Sequence, residues 1–589
     1  MGYHRKQTTT VDNVKDAIEA PLASLCVQWS VFYGDFSIIR ILPPRDVSFG
    51  RGESARCPPA IRKACERRRC GGVVGGLGAP RGSSELRGGR FLFVGFEKCI
   101  QIFEILLEKS VQMSEYITIQ VGQCGNQIGS EFWPLALQEY GIYDSFRNNN
   151  KKNSLQSNKN DFASFQSFFH VQQEYKNVTI NSFEDIKKCE VKARAILVDM
   201  ETSVILRYKT GCLQDLFDDT CIITHYPGSG NNWAEGHCHY GPMFEDMILM
   251  SIKRAVEKCD SLHGFLLMFS VGGGTGSGLG TYILKLLEDH YPNIDRFVIC
   301  VYPTGTEDVI TCPYNMALAT KELIKHASCV VPIENRALLD IVNKQANNKH
   351  SIDTMDFIAK CKPFQDMNSI IVNLLLNLTS GSRFSGSLNV DLNEISTNMV
   401  PFPNLQFLAA GLSPLTISSD LVKSNKQIRE EIFLQTLQKS NQLLKLNITG
   451  PKSIILGTTL IGRGDFTISD MRTYIQRLQK KTCFTSWSAR AMKIGLCDVA
   501  PIGHHAAMLS LFNTTSMSTL LKNVNSQLMK LYNRKAHTHH YLQVPGFEDY
   551  FFQECSETIT STIQSYRDIE DIKPIGIPRL TPVASDISL

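Results

Sequence analysis

Five glycines interrupted by one threonine and one serine form the stretch best suited to chemistry, Gly272-Gly273-Gly274-Thr275-Gly276-Ser277-Gly278. An apolar run over residues 265–271 predicts a strand before this loop, and apolar residues at helical spacing predict a helix after it. Residues without Cβ let backbone N–H groups approach phosphate oxygens, and the helix N-terminus adds its positive dipole end. The hydroxyls of Thr275 and Ser277 can donate to the same oxygens. The pattern therefore predicts a phosphate site.

The loop differs from two common nucleotide motifs. No Lys-Ser/Thr pair follows the glycines, and the loop is not GxGxxG in its usual setting. A glycine-rich turn without a ligand would have the same local sequence, so the interpretation depends on other parts of a nucleotide site along the chain. A nicotinamide-dependent oxidoreductase would need an acid about 20 residues after a GxGxxG turn, and this alternative is disfavoured.

The composition is that of a globular protein, with 43% hydrophobic and 20% charged residues over 589 positions. This length predicts two or three domains. A net charge of +4 does not favour a nucleic-acid binder, and no apolar run reaches the ~18 residues of a membrane span. The 18 cysteines are not clustered and predict reduced thiols. We expect no nucleic acid and no membrane among the partners.

The chain changes character at Met113. Residues 1–112 combine arginine-rich and glycine-rich pieces that offer little to bury, and we expect them to be a disordered, dispensable extension. A strand then leads into a second glycine-bearing turn, residues 122–129, and a polar insertion follows Tyr143. Strands and helices alternate to about residue 383, which predicts a parallel sheet with helices on both faces. Beyond it, we expect strands over 405–410 and 453–460 in a second domain, and helices over 520–532 and 546–567 near the end.

Several motifs together strongly resemble the tubulin superfamily over Met113 to Leu589. They occur in family order: GQCGNQIG at 122–129, NNWA at 231–234, GGGTGSG at 272–278, PYN at 313–315, NVDLNE at 389–394 and RKA at 534–536. The resemblance implies an α/β, tubulin-like fold. It would comprise a Rossmann-like GTP-binding domain over 113–383, an α+β intermediate domain over 384–516, and C-terminal helices with a tail over 517–589.

Within the family the chain most resembles epsilon-tubulins. The long insertion between Tyr143 and Lys192 is shorter in alpha and beta, and residues 537–544 differ from their aromatic-rich sequence. The tail from Pro574 to Leu589 holds a single acid, Asp586, in place of their glutamate-rich tail. Delta-tubulin is the alternative that these differences leave open.

The resemblance also implies roles for individual residues around GTP or GDP and Mg²⁺. Gln123 and Cys124 would meet the phosphates, with Gln123 also near the metal, and Glu201 would approach Mg²⁺ through water. Asn231 would add an amide donor near the phosphates, and Asp308 would accept a hydrogen bond from a ribose hydroxyl. Asn335 and Asn368 would read guanine while Phe364 stacks on it, where alpha and beta carry tyrosine. The phosphates would lie in a cradle formed by Gly273, Gly274, Thr275 and Gly276.

The resemblance implies that Glu394, together with Asp391, acts in hydrolysis. In the family this glutamate completes the nucleotide site of the next subunit, so it would act in trans. A carboxylate there can orient the attacking water while Mg²⁺ and the backbone stabilise the phosphates. The alternative is an ordinary pair of acids at a helix start, favoured by the helix dipole.

The resemblance thus implies a GTP-binding tubulin whose GTPase activity needs assembly. The implied location is the cytoplasm and cytoskeleton, at centrosomes, centrioles or basal bodies, where it would support doublet and triplet microtubules. The implied partners are delta-tubulin, the alpha/beta lattice and centriolar proteins. A GTP-stabilised interaction protein without hydrolysis stays open as an alternative, and the missing acidic tail is compatible with it.

Overall fold

Strands and helices alternate along most of the chain. The computed structural model describes residues 114–142, 162–175, 178, 180, 182–211, 213–304, 309–349, 363–384, 386, 388–415, 425–450 and 452–571. The strands are β1 (Glu115–Val121), β2 (Phe169–His170), β3 (Lys192–Ala193), β4 (Ala195–Asp199), β5 (Ile222–Thr224), β6 (Leu262–Ser270), β7 (Asp295–Tyr302), β8 (Cys329–Glu334), β9 (Ala409–Ser413), β10 (Ile454–Gly464), β11 (Cys483–Phe484), β12 (Lys493–Cys497) and β13 (Ala506–Thr514).

Most of the α-helices follow a strand. They are α1 (Gly122–Glu139), α2 (Phe162–Gln166), α3 (Phe183–Lys188), α4 (Thr202–Thr210), α5 (Gly241–Glu257), α6 (Gly280–His290), α7 (Cys312–His326), α8 (Asn335–Lys349), α9 (Pro363–Leu378), α10 (Ser380–Arg383), α11 (Leu392–Met399), α12 (Asn425–Thr436), α13 (Ile468–Lys481), α14 (Ser518–Tyr532), α15 (His539–Leu542) and α16 (Tyr550–Glu570). Single π-helical turns over Glu235–Tyr240 and Thr275–Leu279 lead directly into α5 and α6.

The larger sheet has six parallel strands in the order β5-β4-β1-β6-β7-β8, which confirms the predicted parallel sheet. Thr118 of β1 pairs with Ala195 of β4 on one side and with Leu266 of β6 on the other. The chain therefore winds outward from β1 in both directions, and β1 is where the strand order reverses. Open α/β sheets bind ligands at the carboxyl ends of the strands next to such a point. This places the expected site at the ends of β1, β4 and β6.

The second sheet is mixed. Its order is β11-β10-β13-β9, with β12 also paired to β10, and β13 is antiparallel to both β10 and β9. The predicted strand at 453–460 is confirmed as part of β10. The strand predicted at 405–410 begins only at Ala409, because Phe407 forms a parallel bridge with Val330 of β8. The segment before β9 therefore joins the edge of the first sheet instead of the second.

A buried charge group joins the two sheets. The Glu139 carboxylate at the end of α1 lies 2.6 Å from Nη1 of Arg383 and 2.9 Å from Nη1 of Arg463 in β10, and all three side chains are fully buried. Both guanidinium groups also donate to the Leu376 carbonyl. Removing one member of such a group leaves an uncompensated buried charge, which costs about 3–5 kcal/mol. The group therefore fixes the end of α1 against the second sheet.

The C-terminal helices α14 and α16 pack on α7 and on each other, as the helical pattern near the end predicts. Between α6, α7 and α16 lies a network of charged groups. Glu322 contacts both Lys321 and Nε2 of His326, at 3.4 and 3.1 Å. His326 Nδ1 contacts Glu288, and Lys321 lies 2.6 Å from Glu554.

The predicted extension 1–112, the polar insertion from 143 to 160, Asp308 and the tail from 574 lie outside the described residues. Among the described cysteines, Cys189, Cys300 and Cys555 are buried, free thiols. None of the described helices is long and apolar enough to cross a bilayer.

The His326 network gives the stability of the protein a defined pH dependence. Burial lowers the pKa of His326, but contacts with Glu322 and Glu288 outweigh it, so the pKa is raised above the ordinary value of 6.5. The stabilisation is therefore fully present below pH 6.5 and is lost as pH rises through the raised pKa. We expect His326→Gln to destabilise the fold by about 1 kcal/mol at pH 6 and by less at pH 9. Melting temperatures across this range measure it, and an equal loss at both pH values would contradict it.

Candidate functional site

The two glycine turns of the sequence meet at the carboxyl ends of β1 and β6. Gly122, the first residue of α1, has φ of +71°, which L side chains rarely adopt. A Cβ on Gly122 would lie 3.0 Å from the backbone nitrogen of Gly276. The backbones of the two turns are thus in direct contact, and the glycine positions are needed for this approach. The contact brings the starts of α1 and α6 to one point.

A third segment, residues 228–232, closes against the glycine loop. A Cβ on Gly274 would lie 2.6 Å from the backbone nitrogen of Asn232, so these backbones also touch. Ser229 Oγ and Thr275 Oγ1 are 2.8 Å apart and hydrogen-bonded. The Asn231 side chain lies on the open side of the loop, with Oδ1 3.8 Å from where a Gly273 Cβ would be. The arrangement surrounds the loop with backbone N–H groups, hydroxyls and an amide.

Asn315, in the first turn of α7, connects these segments. Its Nδ2 donates to the carbonyls of Asn231 and Gly272, at 2.7 and 3.0 Å. Its Oδ1 accepts from the Trp233 backbone N–H at 2.9 Å and from the Tyr541 hydroxyl at 2.5 Å. Asn315 is fully buried and uses both atoms of its amide. It thus fixes the glycine loop, the 228–232 segment and the C-terminal helical region relative to one another.

The first turn of α1 presents two of the predicted residues toward this region. Gln123 is exposed and Cys124 is partly exposed. Burial raises the pKa of the Cys124 thiol to about 12, so the thiol is neutral at physiological pH. Behind them, Asn126 donates to the carbonyls of Gly122 and Val198, which ties α1 to the end of β4. Gln123 and Cys124 therefore stand next to the glycine contact.

Two carboxylates lie at the carboxyl end of β4. Asp199 is buried, and its Oδ2 has no hydrogen-bond partner among the described residues. Burial raises the pKa of Asp199 to about 7. Glu201 is exposed beside the 228–232 segment, where a Cβ on Gly228 would lie 2.6 Å from its Oε1. A buried, unpaired carboxylate oxygen with a second carboxylate nearby is an oxygen donor set that suits Mg²⁺.

The predicted base-reading residues lie on helices α8 and α9. Asn335 is the first residue of α8, directly after β8, while Phe364 and Asn368 are in the first two turns of α9. Phe364 is 66% exposed and its ring is free to stack on a planar group, whereas Asn368 is buried. Helix α9 packs against both α8 and α1. The structure thus places Asn335, Phe364 and Asn368 on neighbouring helices.

Helix α11 lies at the opposite, amino-terminal edge of the same sheet. Asn393 donates to the His263 carbonyl at the start of β6, and Ser396 donates to Asp295 at the start of β7. Strand β6 spans nine residues, about 30 Å at ~3.3 Å per residue. Glu394 is therefore separated from the glycine loop of its own chain by about the length of this strand. Its side chain does not reach that loop.

Asp391 positions the helix that carries Glu394. It is the N-cap of α11: Oδ1 accepts from the Glu394 backbone N–H at 2.8 Å, and Oδ2 accepts from the Ser114 hydroxyl at 3.1 Å. The Glu394 carboxylate lies 2.7 Å from Lys493 Nζ, and 44% of its side chain is exposed. Glu394 thus faces solvent in an ion pair, and Asp391 uses both oxygens within the fold.

The structure brings most of the predicted residues together at one edge and leaves two of them at the other. Gln123, Cys124, Glu201, Asn231 and the glycine loop lie at the carboxyl edge, whereas Asp391 and Glu394 lie at the amino edge. No role was predicted for Ser229, Asp199, Asn315 or Tyr541. The PYN motif and the Asp199-Met200-Glu201 run were visible in the sequence, but the contacts of Asn315 and Asp199 join residues far apart in the chain.

Comparison with known proteins agrees with this geometry. Residues 115–343 match the model of the Tubulin/FtsZ family, GTPase domain, and residues 403–526 match the Tubulin C-terminal domain. The chain is 41% identical over 494 residues to the Tubulin epsilon chain of Homo sapiens, covering 80% of this chain and 99% of the relative. The Mus musculus Tubulin epsilon chain is also 41% identical, over 79% of this chain and 98% of the relative.

A more distant relative is the Tubulin alpha-3 chain of Saccharomyces cerevisiae, 30% identical over 471 residues, which are 78% of this chain and 98% of the relative. The matched GTPase domain includes both glycine turns, the 228–232 segment and Asn335, and its name implies binding of GTP or GDP. The parallel sheet and the contact between the two glycine turns agree with these comparisons. The chain belongs to the tubulin family.

Proposed function

We propose that the chain is a GTP-binding tubulin that holds its nucleotide at the carboxyl edge of the larger sheet. The observation that carries this proposal is the backbone contact between Gly122 and Gly276. It brings the N-terminus of α1 against the π-helical turn that leads into α6, and helix N-termini attract phosphate. Gly273, Gly274, Thr275 and Gly276 supply the loop. Asn231 and Gln123 add amide donors at its rim.

Guanine would be read by the amides of Asn335 and Asn368, each of which offers a donor and an acceptor. Phe364 would stack on the base, because its ring is exposed at the start of α9. Asp308 would accept from the ribose. Base recognition would thus involve α8 and α9, while phosphate recognition would involve the starts of α1 and α6.

Mg²⁺ would be held near Asp199 and Glu201, with Gln123 close to the same position. The unpaired Oδ2 of Asp199 supports this, because a buried carboxylate without a hydrogen bond is costly unless a cation or a proton compensates it. Mg²⁺ supplies neutralisation of phosphate charge and usually keeps several waters. Glu201, which is exposed, would orient those waters.

Hydrolysis would need a neighbouring subunit. Glu394 lies at the amino edge of the sheet, and a head-to-tail arrangement would bring the α11 of one subunit to the nucleotide of the next. There the carboxylate would orient and polarise the attacking water. Asp391 would act by capping α11 and so positioning Glu394. Another tubulin is therefore the expected partner at both ends.

A second candidate function is GTP binding without hydrolysis. It is favoured by the ion pair between Glu394 and Lys493, because a contact of 2.7 Å engages the Glu394 carboxylate within its own chain. In this case GTP would stabilise the fold and the interface, and the subunit would act as a structural component. Turnover by assembled protein distinguishes the two functions.

The Tubulin epsilon chain relatives support a more specific role in the cytoskeleton. We infer that the protein works at centrosomes, centrioles or basal bodies, including those of cilia, and supports doublet and triplet microtubules. Delta-tubulin, the alpha/beta lattice and centriolar proteins would be its partners. A delta-tubulin-like role is the alternative.

Asn368→Ala tests the assignment of the guanine site. Loss of a buried amide leaves base atoms unpaired and costs about 1–3 kcal/mol, so we expect GTP affinity to fall up to about a hundredfold. Titration calorimetry with GTP measures the change. Asn377→Ala removes a buried amide from a later turn of the same helix and should lower stability without weakening GTP binding. Equal GTP affinity of wild type and Asn368→Ala would remove Asn368 from the site.

Glu394→Ala tests hydrolysis in trans. We expect unchanged GTP affinity in the isolated subunit, because Glu394 does not reach its own glycine loop. In assemblies we expect turnover to fall about 10²–10⁴-fold, the contribution of a positioned base. Phosphate release from assembled and unassembled protein measures this, and Thr397→Ala, an exposed change on the same helix, is the control.

Two results would count against hydrolysis by Glu394. Assembled wild type with no more turnover than free subunits would favour the structural role, and Lys493→Ala would then show whether the ion pair suppresses activity. Loss of GTP affinity in the isolated Glu394→Ala subunit would mean that the residue acts on its own chain.

A further inference from the structure

A cavity of about 550 Å³ opens between three segments of the fold. One wall is the first three turns of α8, with Asp340 and Lys344. The second wall is residues 439–447, which join α12 to the loop before β10, and the third is the start of α14, with Thr519. Its lining includes none of the residues assigned to GTP, Mg²⁺ or hydrolysis.

The lining is rich in positive charge. Lys344, Lys439 and Lys445 line the cavity, and Asp340 is the one carboxylate among the described residues of its lining. Lys445 is paired with Asp340. Neither Lys344 nor Lys439 forms an ion pair with any carboxylate that the structure describes, so the lining carries two uncompensated cations. Lysines that converge on a concave surface raise the local concentration of anions.

Neutral donors complete the walls. Helix α14 has 15 residues, and the positive end of its dipole lies beside Thr519. The Ser516 hydroxyl lies 3.2 Å from the Asn447 carbonyl and 2.8 Å from Ser453 Oγ, which holds the third wall against the second. The lysines thus lie on two of the three walls, and hydrogen bonds join the third wall to the second.

We propose that this cavity binds a compact, multiply phosphorylated small molecule. Lys344 and Lys439, the N-terminus of α14, and hydroxyl and amide donors suit phosphate groups that point in several directions. Walls from three segments favour a compact ligand over an extended acidic peptide, which would need a groove. The proposal does not depend on the proposed function, because the cavity shares no residue with the GTP site.

Titration calorimetry on the full chain tests the proposal, with inositol hexakisphosphate as the probe and saturating GTP and excess Mg²⁺ present throughout. We expect saturable binding of the probe and none of unphosphorylated inositol. Lys344→Ala and Lys439→Ala should each weaken binding about 10- to 100-fold, since each removes a charge-assisted contact. Lys439→Arg should retain most of the affinity because it keeps the charge.

The matched control is Lys253→Ala, which removes an exposed lysine from α5 and should leave the affinity unchanged. Both cavity lysines are exposed, so melting temperatures of the variants should equal that of wild type. No saturable binding of the probe, or an equal loss in Lys253→Ala, would overturn the proposal. Tighter binding of a hexaglutamate peptide, with the same dependence on Lys344 and Lys439, would overturn it in favour of an acidic peptide.

Discussion

The fold of the site depends on the backbone contact between the two glycine turns, which leaves no room for a side chain. Gly122 and Gly276 touch because β1 and β6 are neighbours in the sheet and both turns end at its carboxyl edge. Any residue other than glycine at Gly122 would add strain at its positive φ and a close contact with Gly276. Since α1 and α6 both start here, the contact sets the positions of both helices.

Asn315 extends this constraint to the rest of the protein. Its amide joins the glycine loop, the 228–232 segment and Tyr541, which are 43 to 226 residues away in the chain. Glu139 does the same at the far end of α1, where it pairs with Arg383 and with Arg463 of the second sheet. The beginning of α1 therefore belongs to the site and its end to the junction between sheets.

The sequence alone was sufficient to predict those strands, turns and helices whose signal is local. Strands β1 and β6, the glycine turns and the later helices follow from apolar spacing and from glycine, and the structure confirms them. Contacts between distant residues were not predictable, because nothing in the spacing shows that Phe407 pairs with Val330 instead of extending β9. For the same reason the contacts of Asp391 with the Glu394 backbone N–H and with Ser114 were not predicted. The lysine cavity had no sequence signal, since its walls come from three separate segments.

We propose that the carboxyl edge of the larger sheet holds a guanine nucleotide. Denaturing the full chain, purified without added nucleotide, and separating the supernatant by anion-exchange chromatography measures the nucleotide that it releases. We expect about one guanine nucleotide per chain, in keeping with a single preformed site. A folded protein that releases no nucleotide, or one that releases an adenine or nicotinamide nucleotide instead, would contradict it.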